Sequence, residues 1–198
     1  MRVLLALLFV SGWFTSGLAA SRSDRPIVAF GDSYTEGTTA RRSEAFPALM
    51  EASLGIPVVN AGRLGETAHE ALPRLERDVL RHNPRLVIVE FGVNEAFRGD
   101  TVAEAAAGLD AILTRLAGIP VVLVGVHYAA FQENFDAALR DLSARHGTGL
   151  VLDAIAGLLD DAATTRDGYH PNAAGYRILE ARIRPEVERV LALADRQA

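Results

Sequence analysis

An α/β/α sandwich built on a parallel sheet is predicted by three observations on this 198-residue chain. Five short apolar runs alternate with longer one-sided stretches. The short runs are continuous and rich in Val, Ile and Leu, as in strands covered on both faces. The longer stretches repeat their apolar residues at spacings of three and four, as a helix with one buried face requires. Strand–helix alternation carried through five cycles places helices on both sides of a parallel sheet.

The expected strands are Ile27–Phe30, Pro57–Asn60, Leu86–Glu90, Val121–Val126 and Leu150–Asp153. Between them the spacing predicts helices over Glu44–Leu54, Ala68–His82, Thr101–Leu116, Phe131–His146 and Asn172–Leu193. Phe46, Leu49, Met50 and Leu54 share one face of the first, and Leu179, Ile183, Val187 and Val190 one face of the last. Pro73 and Pro185 are expected near helix starts or kinks. No internal repeat, low-complexity tract or linker interrupts residues 21–198, which read as a single domain.

Residues 1–20 are set apart from that domain. One arginine is followed by the apolar run Val3–Val10 and then by small residues at Gly17, Ala19 and Ala20. That order of charged, apolar and cleavage regions predicts a secretory signal peptide and a periplasmic or secreted product. Ser11, Gly12, Thr15, Ser16 and Gly17 break the run well short of the roughly 20 apolar residues a spanning helix needs. An uncleaved anchor is the alternative, and with no cysteine after it the leader is not of the lipoprotein type.

Composition narrows the chemistry. The net charge is −5 and all twenty basic residues are arginine, so no lysine is available for Schiff-base or P-loop chemistry. The acidic balance, without a basic run, argues against nucleic acid as a partner. The absence of cysteine excludes disulfides, thiolate metal sites and cysteine nucleophiles.

In a parallel sheet the working groups gather at the carboxyl ends of the strands. Those ends carry "GDS" (31–33), "NAGRLGET" (60–67), "FGVNEAF" (91–97) and "HYAAF" (127–131), and the loop before the last helix carries "RDGYHPN" (166–172). Ser33 follows a strand and opens a helix, which suits either a nucleophile or a helix N-cap. Asp167 and His170 are three apart in a tight turn. An aspartate there can hold the Nδ1 proton of the histidine and leave Nε2 free as a base, or it can simply make an Asx turn capping the last helix. One Asp and one His, with no other ligand spaced for it, are too few for a metal. Gly65 can offer a bare backbone N–H and Asn94 a side-chain amide to an oxyanion, although turn residue and strand-end cap serve as well for each.

The blocks "FGDSYTEG", "NAGRLGET", "VEFGVNEAF" and "DGYHPN" together resemble the GDSL-type, or SGNH, hydrolases. Their order and separations are similar to the branch of bacterial thioesterase I/lysophospholipases and arylesterases. The resemblance runs from about Pro26 to Leu193. It implies a flavodoxin-like, five-stranded sheet, with Ser33 as nucleophile, His170 as general base and Asp167 as its orienter. It also implies an oxyanion hole made by the N–H groups of Ser33 and Gly65 and the side chain of Asn94, and neither a metal nor an organic cofactor.

Two departures stand out. Glu95 follows Asn94 where the family often has aspartate, and its extra methylene is expected to reposition the loop. Tyr34 and Thr35 stand where the family name has leucine and often serine, and are expected to narrow or polarise the pocket. Glu90, ending an apolar strand, is a candidate buried carboxylate holding neighbouring loops. His127 is either a pocket residue or an exposed loop histidine. His69, His82 and His146 read as surface helix residues, and Arg41 and Arg42 as a solvated loop or, alternatively, as a pair steering an anionic head group.

The expected reaction is acyl transfer to water from a small ester or thioester, with activity rising with pH as His170 loses its proton. Export favours lysophospholipids, which bring transient contact with membrane lipid, and acyl or aryl esters. A carbohydrate O-deacetylase and a non-catalytic lipid- or glycan-binding module are the alternatives. Acyl-chain length and oligomeric state are not encoded in these patterns.

Overall fold

The computed structural model describes residues 24–126 and 132–197. The expected leader, His127 and the helix start at Phe131 lie outside the described residues. Strands β1 (Ile27–Gly31), β2 (Val58–Gly62), β3 (Leu86–Glu90), β4 (Val121–Val124) and β5 (Gly149–Val151) form one sheet in the order β2-β1-β3-β4-β5. Every pairing is parallel. β4 stops two residues short of its expected end, and β5 is displaced toward the amino terminus by one residue at its start and two at its end.

Helices cover both faces because strand residues alternate between two cores. Ile27, Ala29, Leu86, Ile88, Val122 and Val124 share a core with residues of α2 (Phe46–Leu54) and α8 (Ala173–Arg196). Val28, Phe30, Val87, Val89, Val121 and Leu123 share the other with α3 (Ala68–Ala71), α4 (Leu75–Asp78), α6 (Val102–Arg115) and α7 (Gln132–His146), the latter two entered after the short α5 (Val93–Arg98). Among the described residues no helix is long and apolar enough to cross a membrane.

One expectation needs correction. The stretch 68–82 is four short pieces rather than one helix: α3, a 3₁₀ turn at Leu72–Arg74, α4 and a 3₁₀ turn at Leu80–His82. Pro73 has no N–H to donate to the carbonyl four residues back, so the α-helical ladder breaks there. Asn83, at φ +49°, closes the last turn. Pro185, by contrast, lies inside an unbroken α8.

Register positions the site. Gly31 pairs with Gly62 on one side and with Glu90 on the other, so three strands end at one level. Gly62 has to be glycine. A Cβ there would overlap the backbone of Thr35 and Glu36 in the short helix α1 (Ser33–Glu36), which packs across the end of β2.

Candidate active site

At the end of β1 the N-cap of α1 is Asp32, whose Oδ1 accepts from the N–H of Tyr34 at 3.0 Å. Ser33 is therefore the first helical residue, and its hydroxyl is not used as a cap. Its backbone N–H, in the first turn, has no intrahelical acceptor. Ser33 Oγ lies 3.2 Å from His170 Nε2, and His170 Nδ1 lies 2.8 Å from Asp167 Oδ2.

Asp167 does two jobs at once. Its Oδ1 accepts from the N–H groups of Tyr169 (2.9 Å) and His170 (2.7 Å), which is the Asx-turn geometry, while Oδ2 faces the imidazole. Partial burial pushes this carboxyl up, but the bonds from the His170 ring and the two N–H groups outweigh it and hold it at about 2. Capping of α8 falls instead to Asn172, which accepts from Ala174 and Gly175.

Gly65 adopts φ +76°, a left-handed turn that favours glycine, and nothing lies within 4 Å of where a side chain would project. Asn94 stands in the first turn of α5, not in the strand-end loop expected from the sequence. Its Nδ2 donates to Asp32 Oδ2 at 2.8 Å and to the Glu66 carbonyl at 3.1 Å, which occupies both amide protons. The neighbouring Glu95 is buried and accepts from the N–H of Ala68 at 2.7 Å, locking α5 to the start of α3. Burial raises its carboxyl above the ordinary value.

Glu90 is the buried carboxylate expected at the end of β3. Its Oε2 accepts from Thr35 Oγ1 at 2.8 Å and from the N–H of Asp32 at 3.3 Å. The Glu90 and Asp32 carboxyls also reach each other. Burial first, then the neighbouring negative charge of Glu90, pushes Asp32 well above the usual range, and burial lifts Glu90 to about 7. Burial and mutual repulsion thus favour the protonated form in this pair.

Two contributors went unrecognised in the sequence. Arg74, 6% exposed, donates to Glu66 Oε2 (2.6 Å) and to the carbonyls of Ala61 (2.8 Å) and Gly31 (3.3 Å), and lies over the Phe30 ring. It joins the ends of β1 and β2 to the loop bearing Gly65. The only signal was an arginine set among Ala71, Leu72 and Leu75 on an apolar face. The second is an apolar wall. Leu64, Phe97 and Tyr169 are each more than half exposed and, with Val93, line a cavity of about 230 Å³ that opens on Ser33, Asn94 and His170. Phe97 and Tyr169 meet edge to face at 6.0 Å. A larger cavity, about 520 Å³, lies at the other edge of the sheet, where β4 and β5 begin, away from these groups.

His69 is exposed, and Arg41 and Arg42 are too. His146 is half-buried and lies 2.7 Å from Asp110, so it is not a free surface residue. Among the described residues no group of three or more His, Cys, Asp or Glu is arranged to hold a metal ion.

The family model for GDSL-like Lipase/Acylhydrolase matches residues 29–178, which span all of the groups above. The chain belongs to that family, and with it to the ester-bond hydrolases. Its relatives include an esterase TesA of Pseudomonas aeruginosa, 27% identical over 82% of this chain and 88% of that protein. An arylesterase of Vibrio mimicus is 31% identical, but the match covers only 41% of this chain and 43% of the relative. Among solved structures, the SGNH-hydrolase family esterase AlinE4 superposes with a TM-score of 0.65 at 32% identity, covering 85% of this chain and 97% of AlinE4. The GDSL-like domain seen here thus shares its three-layer fold with esterases matched over nearly their whole length.

Proposed function

We propose that this protein hydrolyses carboxylic esters through an acyl-enzyme on Ser33. The observation that carries the reading is the chain of contacts from Ser33 Oγ through His170 to Asp167, at 3.2 and 2.8 Å, beside an apolar cavity. Ser33 Oγ attacks the carbonyl carbon while its proton passes to His170 Nε2. The oxyanion rests on the N–H groups of Ser33 and Gly65 and on the Asn94 amide. Asn94 exchanges its longer bond, to the Glu66 carbonyl, for this oxygen. His170 then delivers the proton to the leaving oxygen, and the alcohol departs. Water attacks the acyl-enzyme, gives its proton to His170 and releases the acid, and Ser33 Oγ takes the proton back.

The wall of Leu64, Val93, Phe97 and Tyr169 favours acyl or aryl ester substrates, with thioesters and lysophospholipids in the same class. A carbohydrate O-acetyl ester would find few polar partners there beyond the reacting groups. The leader places the mature enzyme in the periplasm or outside the cell, where amino-terminal sequencing of the exported protein should begin near Ser21.

Purified mature protein should cleave p-nitrophenyl acyl esters faster than acetyl-xylan, and Ser33→Ala should lower kcat by roughly 10⁴-fold or more. An organophosphonate should label Ser33 stoichiometrically. Hydrolysis by Ser33→Ala at the wild-type rate would refute the reading, and an unlabelled Ser33 in a protein inert toward every ester would favour a binding module. Preference for acetyl-xylan would shift the substrate to carbohydrate esters.

A further inference from the structure

The loop carrying His170 is shaped from within. Asp167 Oδ1 gathers the N–H groups of Tyr169 and His170. Thr165 Oγ1 donates to the His170 carbonyl at 2.9 Å and accepts from the N–H of Gly168 at 3.0 Å. These bonds fix the form of the loop. They do not fix its distance from Ser33, which comes from another part of the chain.

That distance is set by ties to the segment following β1, made by the loop and by α8, where Tyr176 Oη donates to the carbonyls of Ser33 (3.4 Å) and Thr38 (3.2 Å). Thr39 Oγ1 donates to the Pro171 carbonyl at 3.0 Å. Tyr34 Oη donates to the Tyr169 carbonyl at 2.6 Å. This last tie is placed tightly about the reacting atoms: Tyr34 is the neighbour of Ser33, and Tyr169 is the neighbour of His170. Tyr34 is itself well anchored, being 1% exposed with its N–H on Asp32 Oδ1. Its ring also lies against the imidazole, with centroids 5.8 Å apart and planes at 42°. A leucine, which the family name puts at this place, has no hydroxyl to make such a bond.

We propose that Tyr34 is a positioning residue, whose hydroxyl, bonded to the Tyr169 carbonyl, holds the His170 imidazole at working distance from Ser33. The proposal rests on the esterase reading of Ser33 and His170. An error of about 1 Å in the placement of a catalytic group can cost ~10²-fold in rate, so one short bond at this point has leverage on turnover.

Tyr34→Phe removes the hydroxyl and keeps the ring that lines the cavity. Assayed well below its Tm, this variant should lose roughly tenfold in kcat while KM stays within about twofold of wild type, since ground-state packing is kept. Phosphonylation of Ser33 should slow by a similar factor, because it needs the same base. Thr39→Ala cuts the tie farther from the imidazole and should cost less than about threefold in kcat. The low-field Nδ1 proton resonance of His170 should broaden in Tyr34→Phe and stay sharp in Thr39→Ala. Unchanged kcat in Tyr34→Phe, or equal losses in the two variants, overturns the proposal. A wild-type protein inert toward every acyl ester would instead overturn the esterase reading.

Discussion

Asp167 shows how one side chain can serve both shape and chemistry. Its two oxygens are divided, Oδ1 for the turn and Oδ2 for the imidazole. Asp167→Asn keeps an oxygen for the two N–H groups but can no longer hold the Nδ1 proton as a carboxylate does. The fold should survive and kcat should fall by roughly 10³–10⁴-fold. Comparable circular dichroism with near-normal turnover would contradict this. Because the carboxyl sits at about 2, Asp167 stays ionised through any working pH and does not set the acid limb of activity. Asn94→Ala should cost ~10²–10³-fold in kcat with little change in KM, the signature of a donor used in the transition state. A pure KM effect would assign Asn94 to ground-state binding instead.

The inner strands β1, β3 and β4 were legible because each is a continuous apolar run buried on both faces, whereas the edge strands β2 and β5 are only partly buried. The helix α5 was not legible. It is six residues long, starts after Gly92 at φ +138°, and sits in what reads as a strand-end loop. The candidate site residues were legible as loop-end chemistry, whereas their supports were not, since Tyr34–Tyr169 and Arg74–Gly31 join residues far apart in sequence. Arg74 also separates strong from weak ion pairs at the level of elements. It is buried, pairs with a nearly buried Glu66 and satisfies two strand-end carbonyls. Arg74→Leu removes the short buried ion pair of Glu66 and the guanidinium donors to both carbonyls, leaving Glu66 only the longer contact with Arg63, and should destabilise by about 3–5 kcal/mol in urea unfolding. Arg145→Ala breaks contacts with Asp110 and Asp141 that are 40% and 67% exposed, and should leave the urea midpoint essentially unchanged. Equal losses would mean that the Arg74 junction does not hold β1 and β2 together.

Over the whole molecule, buried acids and exposed acids pull stability in opposite directions with pH. Asp78 and Asp167 both sit at about 2, below their unfolded value, so what they contribute is present above about pH 4 and lost as pH falls toward 2. Glu90 and Asp32 are raised by burial. The folded state then binds protons that the unfolded chain has already released above about pH 4. The stabilisation from this pair is complete below that pH and is lost as pH rises through the Glu90 value of about 7. For Glu90 alone the loss is on the order of 3 kcal/mol, one pKa unit being worth about 1.4 kcal/mol. These groups together are expected to displace the stability maximum toward the acid side of the ~pH 5–8 range common among proteins. Glu90→Gln keeps an oxygen for Thr35 and offers Asp32 a donor, but cannot ionise. Thermal unfolding followed from pH 3 to 8 should show wild-type Tm declining above pH 5, and the decline should flatten in Glu90→Gln. A wild-type Tm that climbs steadily to pH 8, or parallel curves for the two proteins, would mean that the carboxyl pair beneath Ser33 is ionised at little cost and that the site rests on charge rather than on a shared proton.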